Sequence, residues 1–190
     1  MKMMTWLALS TTSACLVASM AAAALPAANP FAQPSTLPFQ APRFDLIKDQ
    51  DYQPALDAGM AEQSAEITRI AKNPAAPTFD NTIVAIERSG RMLDRVSSAF
   101  FGVVQANTNP TLDKVQEVET PKLTQHSDSI YLNAKLFARV RAIYAQRGSL
   151  KLNPEQLQLL DVYHANFIRA GAQLSDADQT KLRALNTQIS

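Results

Sequence analysis

The spacing of apolar residues constrains the fold of this chain more than any other feature. From Leu56 onwards, large apolar side chains recur three and four positions apart, which is the period of one face of an α-helix. The first such stripe runs through Leu56, Met60, Gln63, Ile67 and Ile70. No stretch alternates apolar and polar residues with the two-residue period of a half-buried strand. The sequence therefore predicts an all-α chain.

Further stripes of the same period follow, separated by short polar or proline-containing loops. The second contains Ile83, Ile86, Gly90, Leu93, Val96, Phe100 and Val103. Because a helix of about 25 residues is longer than most, we expect a bend near Ser89-Gly90. The later stripes contain Leu112, Val115, Val118 and Leu123; Leu132, Leu136, Val140 and Ile143; Leu157, Leu160, His164, Phe167 and Gly171; and Leu182, Leu185 and Ile189.

Proline and asparagine mark where some of these helices begin. Asn109-Pro110 and Asn153-Pro154-Glu155-Gln156 each place asparagine at the N-cap and proline in the first turn. Asparagine is a favoured cap, and glutamine three residues later completes a capping box. Pro121 lies inside the third stripe, and we expect it to kink or divide that helix. The last stripe keeps its helical period up to Ser190 with no closing signal.

The N-terminus predicts an exported protein. Lys2 is the only charged residue before position 25, an apolar run from Trp6 to Val17 follows it, and small residues crowd around Ala21–Ala24. This order describes a secretory signal peptide. The run is shorter than the ~20 apolar residues that a membrane span needs. We therefore expect residues 1–24 to be removed near Ala24, giving a periplasmic or secreted product.

Cysteine and charge exclude several classes of protein. Cys15 is the only cysteine, and Thr12 stands where a lipoprotein attachment site usually has an aliphatic residue. Cleavage after it would leave no disulfide or thiolate metal site. Removing Lys2 leaves 17 basic residues against 17 acidic ones. Because no basic patch stands out, a nucleic-acid-binding role is not predicted.

Residues 25–50 are predicted to form an extended lead-in to the helices. Its first part reads LPAANPFAQPSTLPFQAP and contains no charge. Proline fixes φ and keeps the preceding residue out of the helical region. Phe31, Phe39 and Phe44 predict that this segment lies against a folded surface.

The two histidines are the first candidates for chemistry. His164 lies on an apolar stripe beside Phe167, where a packed and hydrogen-bonded core histidine is the favoured interpretation. His126 follows Pro121 and is predicted to lie at a helix end or on the surface. A zinc ion held by these two alone is not expected, since structural sites use four ligands and catalytic sites three.

Acidic and basic clusters give weaker signals. Asp45, Asp49 and Asp51 resemble a spaced-carboxylate calcium loop, but the turn glycine and the closing glutamate are missing. A solvated start of a helix is the favoured interpretation.

The row Arg88, Arg91 and Arg95 has two interpretations. It could bind a peptide carboxylate, or it could form a charged outer face paired with Glu87 and Asp94, which helical spacing favours.

Four blocks of the sequence resemble a known family. They are LPFQAPRFDLIKDQDYQPAL, APTFDNTIVAIERSG, ETPKLTQHSDSIYLNAKLFARV and EQLQLLDVYHANFIRAGAQLS. In order and spacing they are similar to the N-terminal region of the peptidyl-dipeptidases, which belong with thimet oligopeptidase, neurolysin and oligopeptidase A among the zinc metallopeptidases. The resemblance runs from about Asn29 to Ser190.

The resemblance implies an all-α wall of a channel-shaped peptidase that hydrolyses short peptides. In that family two histidines of an H-E-x-x-H helix and a later glutamate hold zinc, and the motif glutamate is the general base. This chain has no such motif: His126 continues as HSDSI and His164 as HANFI. We therefore assign no catalytic, cofactor-binding or metal-binding residue to it and expect no zinc on this chain.

Two hypotheses follow for residues 51–190. In the first they are the N-terminal region of a secreted peptidyl-dipeptidase, truncated at 190, whose missing partner is the C-terminal catalytic region. Such a piece is expected to be inactive alone and to expose an apolar face. In the second they form a free-standing periplasmic helical module that binds peptides or a partner without catalysis.

Overall fold

A computed structural model describes residues 25–189. These residues form helices and loops without a strand, which confirms the all-α prediction. None of their helices is both long enough and apolar enough to cross a membrane. The predicted signal peptide, with Lys2, Cys15 and the cleavage site near Ala24, lies outside the described residues. The α-helices are α1 Asp49–Ala71, α2 Ala85–Glu87, α3 Arg91–Asn107, α4 Pro110–Tyr131, α5 Ala134–Ala145, α6 Pro154–Arg169 and α7 Asp176–Ile189.

The predicted helix caps form as expected. Asn109 Oδ1 accepts hydrogen bonds from the N–H groups of Thr111 and Leu112 at 2.9 and 3.1 Å. At the start of α6, the side chains of Asn153 and Gln156 each accept from the other's backbone N–H, at 2.8 and 3.0 Å. These bonds satisfy N–H groups that have no partner within the helix.

The segment before α3 is irregular where the sequence predicted a bend. A π-helical segment, Phe79–Val84, runs into α2, and the chain then turns at Gly90 with φ 70° before α3 begins. Ile83 and Ile86 point into the protein, whereas Glu87 and Arg88 are exposed. The bend near Ser89-Gly90 is therefore confirmed.

Pro121 does not divide its helix. α4 continues through it from Pro110 to Tyr131. Val115, before the proline, packs in one hydrophobic core, and Ile130, after it, packs in another. Packing on both sides thus outweighs the loss of one intrahelical hydrogen bond. Of the two expected effects of Pro121, a kink or a divided helix, the division was wrong.

Two hydrophobic cores hold the helices together. The first core lies among the ends of α1 and α4, the π-helical segment, α5 and α6, and its largest fully buried members are Ile83, Leu136, Leu160 and Phe167. The second core lies among the lead-in, α1, α3 and α4, and includes Tyr52, Leu56, Val96, Phe100 and Leu112. Because α1 and α4 contribute to both, they tie the cores together.

The lead-in is only partly packed. Phe31 is buried, and its ring lies 5.5 Å from that of Tyr52, which in turn contacts Phe100 at 5.3 Å. This part of the prediction is confirmed. Phe39 and Phe44 are exposed, so for these two the prediction was wrong. Phe39 lies in a short 3-10 turn, Pro38–Gln40, at a left-handed φ of 57°.

Gly90 is expected to be intolerant of a side chain. A Cβ there would lie 2.3 Å from Nε2 of Gln63, and the left-handed φ of 70° disfavours any L-residue. Gly90→Ala should lower the free energy of unfolding by about 1–2 kcal/mol in a urea titration. Gly102→Ala is the matched control: its Cβ meets nothing within 4 Å, so alanine should stabilise α3 by about 0.5–1 kcal/mol. Equal effects of the two substitutions would contradict this account.

Candidate functional site

A groove of about 610 Å³ opens between the two cores. Its apolar floor includes Ile67, Ile130 and Phe167 of the first core, and Leu93 of α3 closes it on the side of the second core. Polar side chains from five helices, α1, α2, α3, α4 and α6, surround this floor. They are Gln63, Glu87, Arg91, Asp94, His126 and Tyr163.

His126 is held in the groove by two contacts to α1. Its Nε2 lies 2.7 Å from Oε1 of Gln63, and its Nδ1 lies 3.3 Å from Oγ of Ser64. An Nε2–H that donates to Gln63 leaves Nδ1 free to accept from the Ser64 hydroxyl. Burial lowers the pKa of His126, which favours this neutral form. The predicted helix-end or surface position was therefore wrong, because α4 continues past Pro121 and carries the ring against α1.

Side chains of α1 also fix the turn at Gly90. The N–H of Gly90 donates to Oε2 of Glu66 at 2.7 Å, so a carboxylate already occupies the start of α3. The carboxamide of Gln63 fills the space that a side chain at Gly90 would need. One wall of the groove is thus a network that joins α1, α3 and α4.

Tyr163 and Glu87 form the opposite rim. The Tyr163 hydroxyl donates to Oε2 of Glu87 at 2.6 Å. Burial, and then the hydrogen bond to Glu87, raise the pKa of Tyr163 well above its usual range. The hydroxyl therefore stays protonated at neutral pH and acts as a hydrogen-bond donor rather than as a base.

The three arginines of the sequence row face different surroundings. Arg91 lines the groove, Arg88 lines a second depression with Glu66 and Arg69, and Arg95 lies near the lead-in. Among residues 25–189 none of the three forms an ion pair. Pairing with Glu87 and Asp94 is therefore not observed, since Glu87 bonds to Tyr163 instead.

His164 lies away from this groove, in a stack of rings. It is half-buried, and its ring is parallel to that of Tyr144 with centroids 3.6 Å apart. The guanidinium of Arg147 covers the Tyr144 ring at 4.1 Å. Burial and the charge of Arg147 lower the pKa of His164. His164 thus packs against aromatic rings but is not a core residue, so the prediction of a hydrogen-bonded core histidine was wrong in burial and in the kind of contact.

Asp45, Asp49 and Asp51 lie around the start of α1, and each makes a separate contact. Asp45 pairs with Arg43 at 2.6 Å, Asp49 accepts from Nδ2 of Asn109 at 2.9 Å, and Asp51 accepts from the backbone N–H of Lys48 at 2.8 Å. These separate contacts agree with the helix-start interpretation. In residues 25–189 no group of three or more His, Cys, Asp or Glu side chains is placed to hold a metal ion.

Two buried charged residues escaped the sequence analysis. Arg139 of α5 is 7% exposed and donates to the carbonyls of Asn73 and Ala75 at 2.8 and 3.1 Å, and to the side chains of Asn81 and Thr82 at 2.8 and 3.2 Å. Glu119 of α4 is fully buried and accepts from Lys122 at 2.8 Å. Both residues could have been found from their spacing along an apolar stripe. Arg139 lies three positions after Leu136, and Glu119 lies four positions after Val115.

The two histidines predict a pH dependence of stability. Both have a folded-state pKa below the ordinary histidine value of 6.5, so below that pH the unfolded chain binds more protons than the folded one. Stability is therefore full above about pH 6.5 and falls as the pH drops through that value toward the folded-state pKa. Urea midpoints at about pH 7.5 and pH 5.5 should show this loss, and replacing both histidines with glutamine should reduce it. A midpoint that rises on acidification would contradict it.

Comparison with known proteins finds two peptidases that are similar to this chain in sequence. No protein-family model matches it. Over 160 residues it is 49% identical to the dipeptidyl carboxypeptidase of Salmonella typhimurium and 48% identical to that of Escherichia coli. Identity at this level over 84% of the chain confirms the resemblance inferred from the four blocks: the chain is related to the peptidyl-dipeptidases. It spans about a quarter of the length of these curated relatives, 24% of each.

Proposed function

We propose that this chain is the N-terminal region of a secreted, zinc-dependent peptidyl-dipeptidase and forms part of the helical wall of its substrate channel. The observation that carries the proposal is the 49% identity over 160 residues to a dipeptidyl carboxypeptidase. The substrates proposed for the whole protein are short peptides, from which dipeptides would be released.

In this proposal the catalytic residues and the zinc ion belong to polypeptide outside this chain. The sequence has two histidines, and neither is part of an H-E-x-x-H motif. His126 contacts an amide and a hydroxyl, and His164 lies in an aromatic stack, so neither is placed with carboxylates as a zinc ligand set. The residues present do not fit the metal, and we derive no catalytic step for them.

The proposed role of these residues is structural and, at the groove, contact with peptide. An apolar floor beneath separate hydrogen-bonding groups suits a peptide, whose backbone needs donors and acceptors while its side chains need apolar surface. Exposed aliphatic side chains support the idea that further polypeptide packs on this region. They include Leu157 and Ile168 of α6 and Leu185 and Ile189 of α7.

An assay of the isolated chain tests where the chemistry lies. The purified chain, incubated with blocked and unblocked short peptides, is expected to release no dipeptide with or without added zinc. Release that a chelator abolishes would contradict the proposal, because it would require metal ligands within these 190 residues. A relative of full length, assayed in parallel, controls for the peptides and conditions.

We also propose periplasmic localisation after removal of residues 1–24. The support is the order of positive charge, apolar run and small residues in the sequence. Expression in a Gram-negative host, followed by mass measurement of the exported product, tests it. A product that begins near Leu25 is expected, and a product that retains Lys2 in the cytoplasm would contradict export.

A further inference from the structure

The lead-in exposes a group of large apolar side chains. Leu37, Phe39, Phe44 and Leu46 have exposed fractions of 39%, 104%, 55% and 51%. We call residues 37–46, which carry them, the apolar turn. Nothing in residues 25–189 covers the ring of Phe39. Exposed apolar side chains gathered in one segment mark interaction sites more often than isolated ones do.

The backbone of the apolar turn is held in an unusual conformation. Phe39 and Gln40 are both left-handed, with φ of 57° and 55°. A bulky residue rarely adopts this region, and such strain clusters at functional sites. Hydrogen bonds close the turn, from the N–H of Gln40 to the carbonyl of Leu37 at 2.9 Å and from the N–H of Ala41 to the carbonyl of Pro38 at 3.2 Å.

The chain on both sides of the apolar turn is fixed to the protein. Before it, Phe31 is buried in the second core, and Asn29 Nδ2 donates to the carbonyl of Asp51 at 3.0 Å. Within the turn, Arg43 donates twice to Asp45, at 2.6 and 2.8 Å. Ile47 then packs against the second core. These contacts present the ring of Phe39 to solvent from a fixed base.

We propose that the apolar turn is a docking element whose anchor, Phe39, inserts into an apolar pocket of the polypeptide that makes up the rest of the peptidase. This inference rests on the proposed function. The curated relatives extend far beyond the matched region, which is 24% of their length, and under the proposed function a polypeptide of that kind is the occupant of the turn.

The composition of the turn fits burial in such an interface. Residues 37–42, the part of the turn around Phe39, read LPFQAP and contain no charge, so covering this part desolvates no ionised group. The two charged residues of the turn, Arg43 and Asp45, pair with each other. Pro38 and Pro42 have no backbone N–H to leave unpaired. Aromatic side chains held by a rigid backbone are common anchors, because little side-chain entropy is lost when they bind.

A chimeric enzyme tests the proposal. In it, residues 25–190 of this chain replace the matched part of the Escherichia coli dipeptidyl carboxypeptidase. Two variants are compared, Phe39→Gly and Gln40→Gly, both at left-handed positions where glycine relieves strain. In the isolated chain each should raise the Tm by about 2–4 °C. In the chimera Gln40→Gly should also raise the Tm, whereas Phe39→Gly should lower both the Tm and the activity.

The result that supports an anchor is a change in Tm of opposite sign: Phe39→Gly raises the Tm of the isolated chain but lowers that of the chimera. If both variants raise the Tm of an active chimera, the docking proposal is overturned while the proposed function stands. If the folded chimera with the native turn is inactive, the proposed function fails and the docking proposal fails with it. If the isolated chain sediments as a dimer that Phe39→Gly dissociates, a second copy is the occupant and the docking proposal is also overturned.

Discussion

Replacing Arg139 with methionine is expected to lower the free energy of unfolding by about 2–4 kcal/mol, because it removes four hydrogen bonds that a buried guanidinium donates to buried and partly buried acceptors. The guanidinium bonds to the carbonyls of Asn73 and Ala75 and to the side chains of Asn81 and Thr82. It thereby fastens the loop after α1 and the π-helical segment onto α5. Methionine fills a similar volume but can donate to none of these oxygens.

Arg141→Met is the matched control for this prediction. It removes the same charge from the same helix, but Arg141 is exposed, so its loss should change stability by less than about 0.5 kcal/mol. Urea titrations of the two variants followed by circular dichroism give both values. If the two substitutions cost the same, the buried network contributes little and this part of the account is wrong.

Replacing Phe167 with alanine is expected to have a still larger effect, a loss of about 3–5 kcal/mol. Phe167 is fully buried in the first core. Its ring contacts that of Tyr131 at 5.2 Å and that of Phe137 at 5.7 Å. Because these neighbours belong to α4 and α5, the cavity left by alanine would remove contacts among three helices, α4, α5 and α6. The same ring forms part of the groove floor, so the groove should widen as well.

The next residue along α6 provides the comparison. Ile168 is 37% exposed, and Ile168→Ala should cost less than about 1 kcal/mol in the isolated chain. The two free energies come from denaturant titrations under the same conditions. A similar loss for both variants would mean that α6 does not pack as described. It would also weaken the proposal that further polypeptide packs on the exposed side chains of α6.

Local signals in the sequence were enough to predict the helices. Asparagine caps act on the nearest N–H groups, so Asn109 and Asn153 marked the starts of α4 and α6 correctly. The break at Gly90 also followed from local chemistry, since glycine adopts a positive φ readily. The continuity of α4 through Pro121 did not follow from local signals, because the packing around α4 comes from α1, α5 and α7, which are distant in sequence.

The groove could not be predicted in the same way. The partners of His126 are Gln63 and Ser64, more than 60 residues earlier, at sequence separations of 63 and 62. Gln63 did stand out as a polar member of an otherwise apolar stripe, but its partner depends on how α1 and α4 pack. Arg139 is a similar case, since its acceptors lie 57–66 residues away. Side chains that bridge distant segments need the tertiary structure to be found.

The family relationship was predictable for a different reason. Four blocks in the same order and spacing as in the family identify it more specifically than any one helix does. The 49% identity to a dipeptidyl carboxypeptidase agrees with them. The matched region is 24% of that relative's length.

The most direct test of the central claim is the product released by the chimera of this chain with the Escherichia coli dipeptidyl carboxypeptidase. Mass spectrometry of a short peptide with a free C-terminus, before and after incubation, identifies the pieces. The account predicts C-terminal dipeptides, whose release stops with a chelator and resumes with zinc, while the isolated chain releases nothing. A folded chimera that releases no dipeptide would contradict the claim that these helices serve as the N-terminal wall of a peptidyl-dipeptidase.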